Sequence, residues 1–315
     1  MALLVGSLTL LLAGCTPQDL EKKLRFGEHT GVTKQAEQMR TLWTWAGVTA
    51  LAVGVLMWGL IFWAIIFHRK KSDELPKQFK YNLPLEIVYS VVPIVIVAGL
   101  FYRTVVVENY VNKLSKNPDV LIQVDAFKWN WQFEYHSYKD ATGAVQTPVY
   151  SGTNPSQTTP PTPYYVSTVG SDNEIPILVV PVGQTVQIIE HSYDVVHSFW
   201  VPEFLFKRDV IPYGRLSAER DNRFEFTATS TGSFVGRCAE LCGTYHSQMN
   251  FEVRVVQPDV FRNYVQDLLQ IGPDAADRQA KALTMANVPG GPYATTTYPF
   301  NTDRSARSAS EKSGS

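Results

Sequence analysis

Two long apolar blocks constrain this chain more than anything else in its sequence. Leu42 to Phe67 runs 26 residues without a charged side chain. Leu83 to Val107 is nearly as apolar, broken by Glu86 and Arg103 near its ends. A helix rises about 1.5 Å per residue, so each block can cross roughly 30 Å of bilayer hydrocarbon. Trp43 and Trp45 at the start of the first block, and Tyr102 near the end of the second, sit where interfacial aromatics belong. Charged residues make up 18% of the 315 residues, below the ~25% usual for soluble domains, and the deficit lies in the N-terminal apolar blocks. A net charge of −1 gives no sign of a nucleic-acid partner.

The segment between the blocks, residues 68–82, carries His68, Arg69, Lys70, Lys71, Lys77 and Lys80 against Asp73 and Glu74. Basic loops stay cytoplasmic, so residues 42–110 read as a transmembrane hairpin with both ends outside. A shorter apolar run, Ala2 to Ala13, ends in Leu12-Ala13-Gly14-Cys15. This resembles a bacterial lipoprotein signal: cleavage after residue 14 would leave Cys15 first, acylated and anchored in membrane lipid. Residues 1–14 are then a signal peptide and residues 15–41 an exported segment. An ordinary signal sequence with an incidental cysteine is the alternative. Met1 to Leu12 has no Lys or Arg, which fits a translation start upstream. Glu86 sits near the cytoplasmic end of its helix, where a carboxylate either snorkels to the interface or serves a polar path.

Beyond residue 110 the pattern becomes short strands, predicted at Val120–Phe127, Trp131–Tyr135, Ile177–Val182, Gln184–His191, Asn222–Ala228 and Phe251–Val256. Such a series implies an all-β sandwich or barrel over residues 111–269, closed by an amphipathic helix from Pro258 to Leu269. Residues 139–174, rich in Ser, Thr, Pro, Gly and Tyr, read as a surface insertion. Residues 270–315 read as a disordered tail.

The chemistry concentrates in Cys238-Ala-Glu-Leu-Cys-Gly-Thr-Tyr-His-Ser-Gln-Met249, a C-x-E-x-C-x₃-H-x₂-M loop, with His197 upstream in Asp194-Val-Val-His-Ser. Two thiolates, two imidazoles and a thioether form a soft donor set suited to copper. One His from a distant strand plus a Cys…His…Met loop resembles a blue-copper arrangement, with a second cysteine that could bridge two copper ions. The residues alone also allow a Cys238–Cys242 disulfide, a Cys₂His₂ zinc site, or one copper held by a single cysteine.

The loop, the Asp-x-x-His-Ser segment, the Trp129-Asn-Trp131 aromatic pair and the hairpin together resemble cytochrome c oxidase subunit II over about residues 41–269. The insertion, the tail and the Leu-Ala-Gly-Cys segment resemble the lipoprotein form of high-GC Gram-positive bacteria. The resemblance implies a cupredoxin-like domain on the external face of the plasma membrane. It implies a dinuclear copper centre, Cu-A, held by His197, Cys238, Cys242, His246, Met249 and the backbone carbonyl of Glu240. The Glu240 carboxylate would bind Mg²⁺ or Mn²⁺ shared with subunit I. Trp129 would be where electrons enter, and Glu86 a proton-uptake group. Subunits I and III and a c-type cytochrome, within a membrane-bound bc complex, are the implied partners. Asn130 departs from the aromatic residue common at that position. The rivals are a copper-free quinol oxidase subunit, which the intact donor set opposes, and a lipid-anchored copper carrier, for which a hairpin is superfluous.

Overall fold

A computed structural model describes residues 27–70, 78–150, 163–171, 174–212 and 222–297. Cys15, most of the basic loop and the end of the tail lie outside the described residues. The chain divides into two compact units, one holding Gln38–Tyr110 and the other joining Gly31–Glu37 to the chain from Val111 onward.

The first unit is helical. Helix α1 spans Lys34–Phe67 and α2 spans Leu83–Val111, each a little longer than its apolar block. No side chain from Leu42 to Phe67 is buried, and Trp58, Phe62 and Trp63 are more than half exposed. Apolar surface on that scale is untenable in water; lipid, or the apolar surface of partner helices, is the environment these residues fit. The start of α2 is capped reciprocally. Leu85 donates its N–H to Asn82 Oδ1 (3.4 Å), while Asn82 donates its own to Glu86 Oε1 (3.0 Å). Glu86 thus has a local role, satisfying a backbone donor and placing negative charge at a helix N-terminus.

The second unit is a sandwich of two sheets. Its strands are β1 (Val120–Phe127), β2 (Asn130–Lys139), β3 (Val145–Gln146), β4 (Val166–Val169), β5 (Ile177–Pro181), β6 (Thr185–Ser192), β7 (His197–Val201), β8 (Phe206–Val210), β9 (Arg223–Thr227), β10 (Gly232–Cys238) and β11 (Asn250–Val256). One sheet has the order β3-β2-β1-β6-β9 with β4 also on β2; the other has β5-β11-β10-β7-β8. Period-2 alternation sends Val120, Ile122, Val124 and Ala126 of β1 to the interior, all 0–1% exposed. They meet Trp131, Phe133, Phe199, Phe224 and Phe251 in one aromatic-rich core. Helix α3 (Pro258–Ile271) adds Phe261, Tyr264, Val265 and Leu268, one stripe at i, i+3, i+4, i+7. Gly31–Glu37 belongs to this unit through a Thr33–Ala228 bridge and the Thr229 N–H on the Val32 carbonyl (2.8 Å).

Two expectations need correction. Residues 270–297 are not a structureless tail: helix α4 (Arg278–Met285) buries Gln279, Ala280, Ala282 and Leu283. The following stretch is anchored by polar bonds rather than by an apolar stripe. Arg254 donates to the carbonyls of Gly291 and Tyr293, and Glu252 accepts the N–H groups of Thr295 and Thr296. Nor is 139–174 only a surface insertion. Its described parts supply β3 and β4 to the edge of β2, with Val166 opposite Tyr135, and bury Tyr150.

Candidate metal centre

Strand pairing brings the distant histidine to the cysteine loop. His197 opens β7, and Cys238 ends β10 opposite Phe199 of β7. The chain then leaves the sheet and returns at Asn250, which pairs with Arg237, so residues 239–249 are a hairpin loop on a rigid base. Its neck is closed by the Cys238 N–H on the Met249 carbonyl (3.0 Å), and the Ala239 N–H bonds the Ser198 carbonyl (3.1 Å). Gly243, at φ +118°, makes the turn that lets His246–Gln248 coil back; a Cβ there would also meet the Trp129 indole at 3.2 Å.

The donors form a row. His197 Nδ1 lies 3.8 Å from Cys238 Sγ, Cys238 Sγ lies 3.8 Å from Cys242 Sγ, and Cys242 Sγ lies 3.5 Å from His246 Nδ1. Met249 Sδ is 3.8 Å from Cys242 Sγ, and the Glu240 carbonyl oxygen is 3.3 Å from Cys238 Sγ. A sulfur separation of 3.8 Å is far from the ~2.05 Å of a disulfide, and both cysteines are free and buried. His197, Cys238 and Cys242 lie within 4.8 Å of one another, a group His246 does not join. One tetrahedral ion would draw both imidazoles to a common centre. A row with thiols in the middle and imidazoles at the ends instead suits two ions sharing the sulfurs. The residues present therefore fit a copper site of the Cu-A kind.

Electrostatics prepare the row. The hydrogen bond from Cys242, helped by His197 and the backbone at Glu240 and Ser198, outweighs burial and brings Cys238 down to about 3. That same bond, with burial, pushes Cys242 far above the ordinary thiol range. Without metal, one proton is thus kept on the sulfur pair, and a bound cation would displace it. Burial pushes the His197 imidazole down, but Cys238 and Asp194 outweigh it and leave it raised. Asp194 accepts His197 Nε2–H at 2.8 Å and so presents Nδ1 to the sulfurs. Burial would raise Asp194, yet the bonds from His197 and from the Lys128 and Val195 N–H groups hold it low.

Among the other expected residues, Trp129 is half-buried, donates Nε1–H to the Cys242 carbonyl (3.1 Å) and meets Tyr245 edge-on at 4.8 Å. Trp131 is fully buried and donates to the Met249 carbonyl (3.3 Å). Glu240 is half-buried. Glu86 belongs to the helical unit. The orienting role of Asp194 was readable in the Asp-x-x-His spacing; Tyr245 as a partner for Trp129 left no signal. Asn130 is buried, accepting the Trp131 N–H (3.0 Å) and donating to the Ser171 carbonyl (3.3 Å). Those bonds explain a polar residue between two indoles.

Comparison with known proteins agrees with this geometry. The model of the family described as cytochrome c oxidase subunit II, periplasmic domain, matches residues 120–256. A probable cytochrome c oxidase subunit 2 of Nocardia farcinica is 44% identical, over 98% of this chain and 89% of its own. The cytochrome c oxidase subunit 2 proteins of Mycobacterium tuberculosis and Corynebacterium glutamicum are 41% and 39% identical, over 96% and 94% of this chain and 89% and 90% of theirs.

Proposed function

Because the chain belongs to the cytochrome c oxidase subunit II family, we propose that His197, Cys238, Cys242, His246, Met249 and the Glu240 carbonyl hold a dinuclear Cu-A centre. Through it the chain takes electrons from a c-type cytochrome and passes them to subunit I, where O₂ is reduced. The observation that carries this reading is the imidazole–thiol–thiol–imidazole row with a thioether and a carbonyl beside it. Bound copper would supply one-electron chemistry with the charge shared over two ions. The chain's own part is to keep the ligands still. Asp194 orients His197, two indole N–H groups hold loop carbonyls, and the sandwich core excludes water behind the thiols.

The remaining assignments follow the same family logic. Trp129, in contact with the loop through Cys242 and Tyr245, is where electrons enter. The Glu240 carboxylate binds Mg²⁺ or Mn²⁺ against subunit I. Subunit III, a bc complex bearing the donor haem, a lipid on Cys15 and proton uptake at Glu86 complete the assembly. The hairpin orientation draws on the excess of Lys and Arg in the loop between the two apolar blocks.

The test is purification from membranes in mild detergent, with haem, copper and oxygen consumption followed together. Two coppers per chain in this subunit, with the multi-line EPR signal of a shared electron, are expected. Cys242→Ser should leave at most one. A single copper or zinc alone in the wild-type protein would overturn the assignment.

A further inference from the structure

The Trp129–Asn130–Trp131 turn grips the cysteine loop at two points. Trp129 holds the carbonyl of Cys242 and Trp131 that of Met249. The Met249 carbonyl also receives the Cys238 N–H at 3.0 Å, so one oxygen joins two proposed ligand residues to one indole. Trp131 meets the His197 ring edge-on at 6.3 Å and is boxed in by Phe199 at 6.1 Å and Phe251 at 5.1 Å. From this single buried position it reaches His197, Cys238 and Met249.

Trp131 is itself fixed from behind. Asn130 Oδ1 accepts its N–H (3.0 Å), and Gly170 donates to its carbonyl (3.1 Å). A Cβ at Gly170 would fall 2.0 Å from Asn130 Oδ1, so the two segments are as close as glycine allows. A buried indole N–H needs some acceptor. Here the acceptor belongs to the thioether residue, and in copper–thiolate sites the weak axial ligand and nearby hydrogen bonds tune the potential.

Resting on the copper reading above, we propose that Trp131 is a positioning residue whose indole N–H fixes Met249 against the paired thiols and so sets the potential of the bound copper. The test uses the assembled oxidase in mild detergent. Trp131→Phe removes the N–H and keeps an aromatic ring. A second protein carries 3-benzothienylalanine at position 131, where sulfur replaces the N–H and the bicyclic volume is kept. Copper content, EPR hyperfine pattern and midpoint potential are measured for both, beside Met249→Leu. Wild-type copper content with a shifted potential and altered hyperfine pattern, in the direction of Met249→Leu, is the expected result. A lower melting temperature with unchanged potential and spectrum would show a packing role only and overturn the proposal. If Trp131→Phe does not assemble, the benzothienylalanine protein decides alone. A wild-type oxidase without a two-copper signal would overturn the copper reading itself, and this proposal with it.

Discussion

Neutralising Glu252 should unlatch the C-terminal segment from the β unit. Glu252 and Arg254 are 0% and 1% exposed and pair at 2.8 Å. The second carboxylate oxygen accepts the Thr295 N–H (2.7 Å), the Thr296 N–H (2.8 Å) and the Thr296 hydroxyl (2.7 Å). Arg254 in turn holds the carbonyls of Gly291 and, at 2.6 Å, Tyr293. Removing one member of a buried pair costs about 3–5 kcal/mol, because the survivor stays charged without a counter-charge. Glu252→Gln keeps an oxygen for one threonine N–H but leaves Arg254 in that condition. At about 2–4 °C per kcal/mol for a domain of this size, the melt should fall by roughly 6–20 °C. Tryptophan fluorescence of the copper-free full chain in detergent reads it. Lys207→Ala is the control, since Lys207 and Asp209 are half exposed and 4.0 Å apart, a geometry worth about 0–1 kcal/mol. Glu252→Leu with Arg254→Met separates the ion pair from the segment it holds. A bare buried pair can be replaced by apolar residues at little loss, but here the replacement strips the anchors, and protease should cut between residues 286 and 297. Glu252→Gln melting with the control, or an intact segment in the double variant, would refute the reasoning.

Three further outcomes are expected. Glu86→Gln preserves the oxygen that accepts the Asn82 N–H, so slowed turnover with normal copper content would show proton uptake, and unchanged turnover would leave Glu86 a helix cap. Trp129→Phe should keep the contact with Tyr245 and the copper content while slowing electron uptake from cytochrome c by orders of magnitude; a normal rate in stopped-flow measurements would remove Trp129 as the point where electrons enter. Glu190 is buried with neither carboxylate oxygen hydrogen-bonded among the described residues; burial, joined by repulsion from Asp209 and opposed by attraction to Arg208, holds it well above its usual 4.5. Folding then retains a proton that the unfolded chain releases above about pH 4.5, so stability falls as pH rises from there towards the folded pKa. Glu190→Gln should gain on wild type by about 1.4 kcal/mol per pH unit over that window, and denaturant melts with parallel pH profiles would contradict it.

The sequence was most legible where one physical constraint acts alone. Apolar length located both long helices, although α1 begins at Lys34, ahead of Leu42, and α2 runs on to Val111; period-2 alternation marked β1, β6 and β11, and a continuous apolar run marked β5. The cluster of His197, Cys238, Cys242, His246 and Met249 was legible as a soft donor set, since a disulfide between the cysteines would leave the histidine and methionine unexplained. What stayed hidden depended on partners far along the chain. Strand β7 carries His197 yet is only His-Ser-Phe-Trp-Val, too short to show a clear period. Strand β10, Gly-Ser-Phe-Val-Gly-Arg-Cys, lacks alternation because its inward positions include Gly236, where a Cβ would sit 2.1 Å from the Phe251 ring. Helix α4 is short and only half apolar, and its place is fixed in part by Gln279, which accepts the Ile177 N–H (2.7 Å) and donates to the Ile175 carbonyl (3.0 Å). No local pattern announces an anchor of that kind.

The insertion and the C-terminal segment looked like two independent additions to a common domain, but they hold one another. Tyr150 of the insertion donates its hydroxyl to the Leu268 carbonyl at the end of α3 (3.0 Å), and Arg278 of α4 donates to that same hydroxyl (3.2 Å). Gln279 bonds Glu174, the last residue of the insertion, at 3.0 Å. Among the described residues, each supplies the other with hydrogen-bond partners. The same insertion ends beside Asn130, whose amide meets the Ser171 carbonyl and whose oxygen fixes the Trp131 N–H. A continuous set of bonds therefore runs from α4 through Glu174 and Ser171 to the two-indole turn that holds the cysteine loop. Strain introduced at Gln279 has a bonded route to Met249, which a solvated loop or a free tail would not have provided.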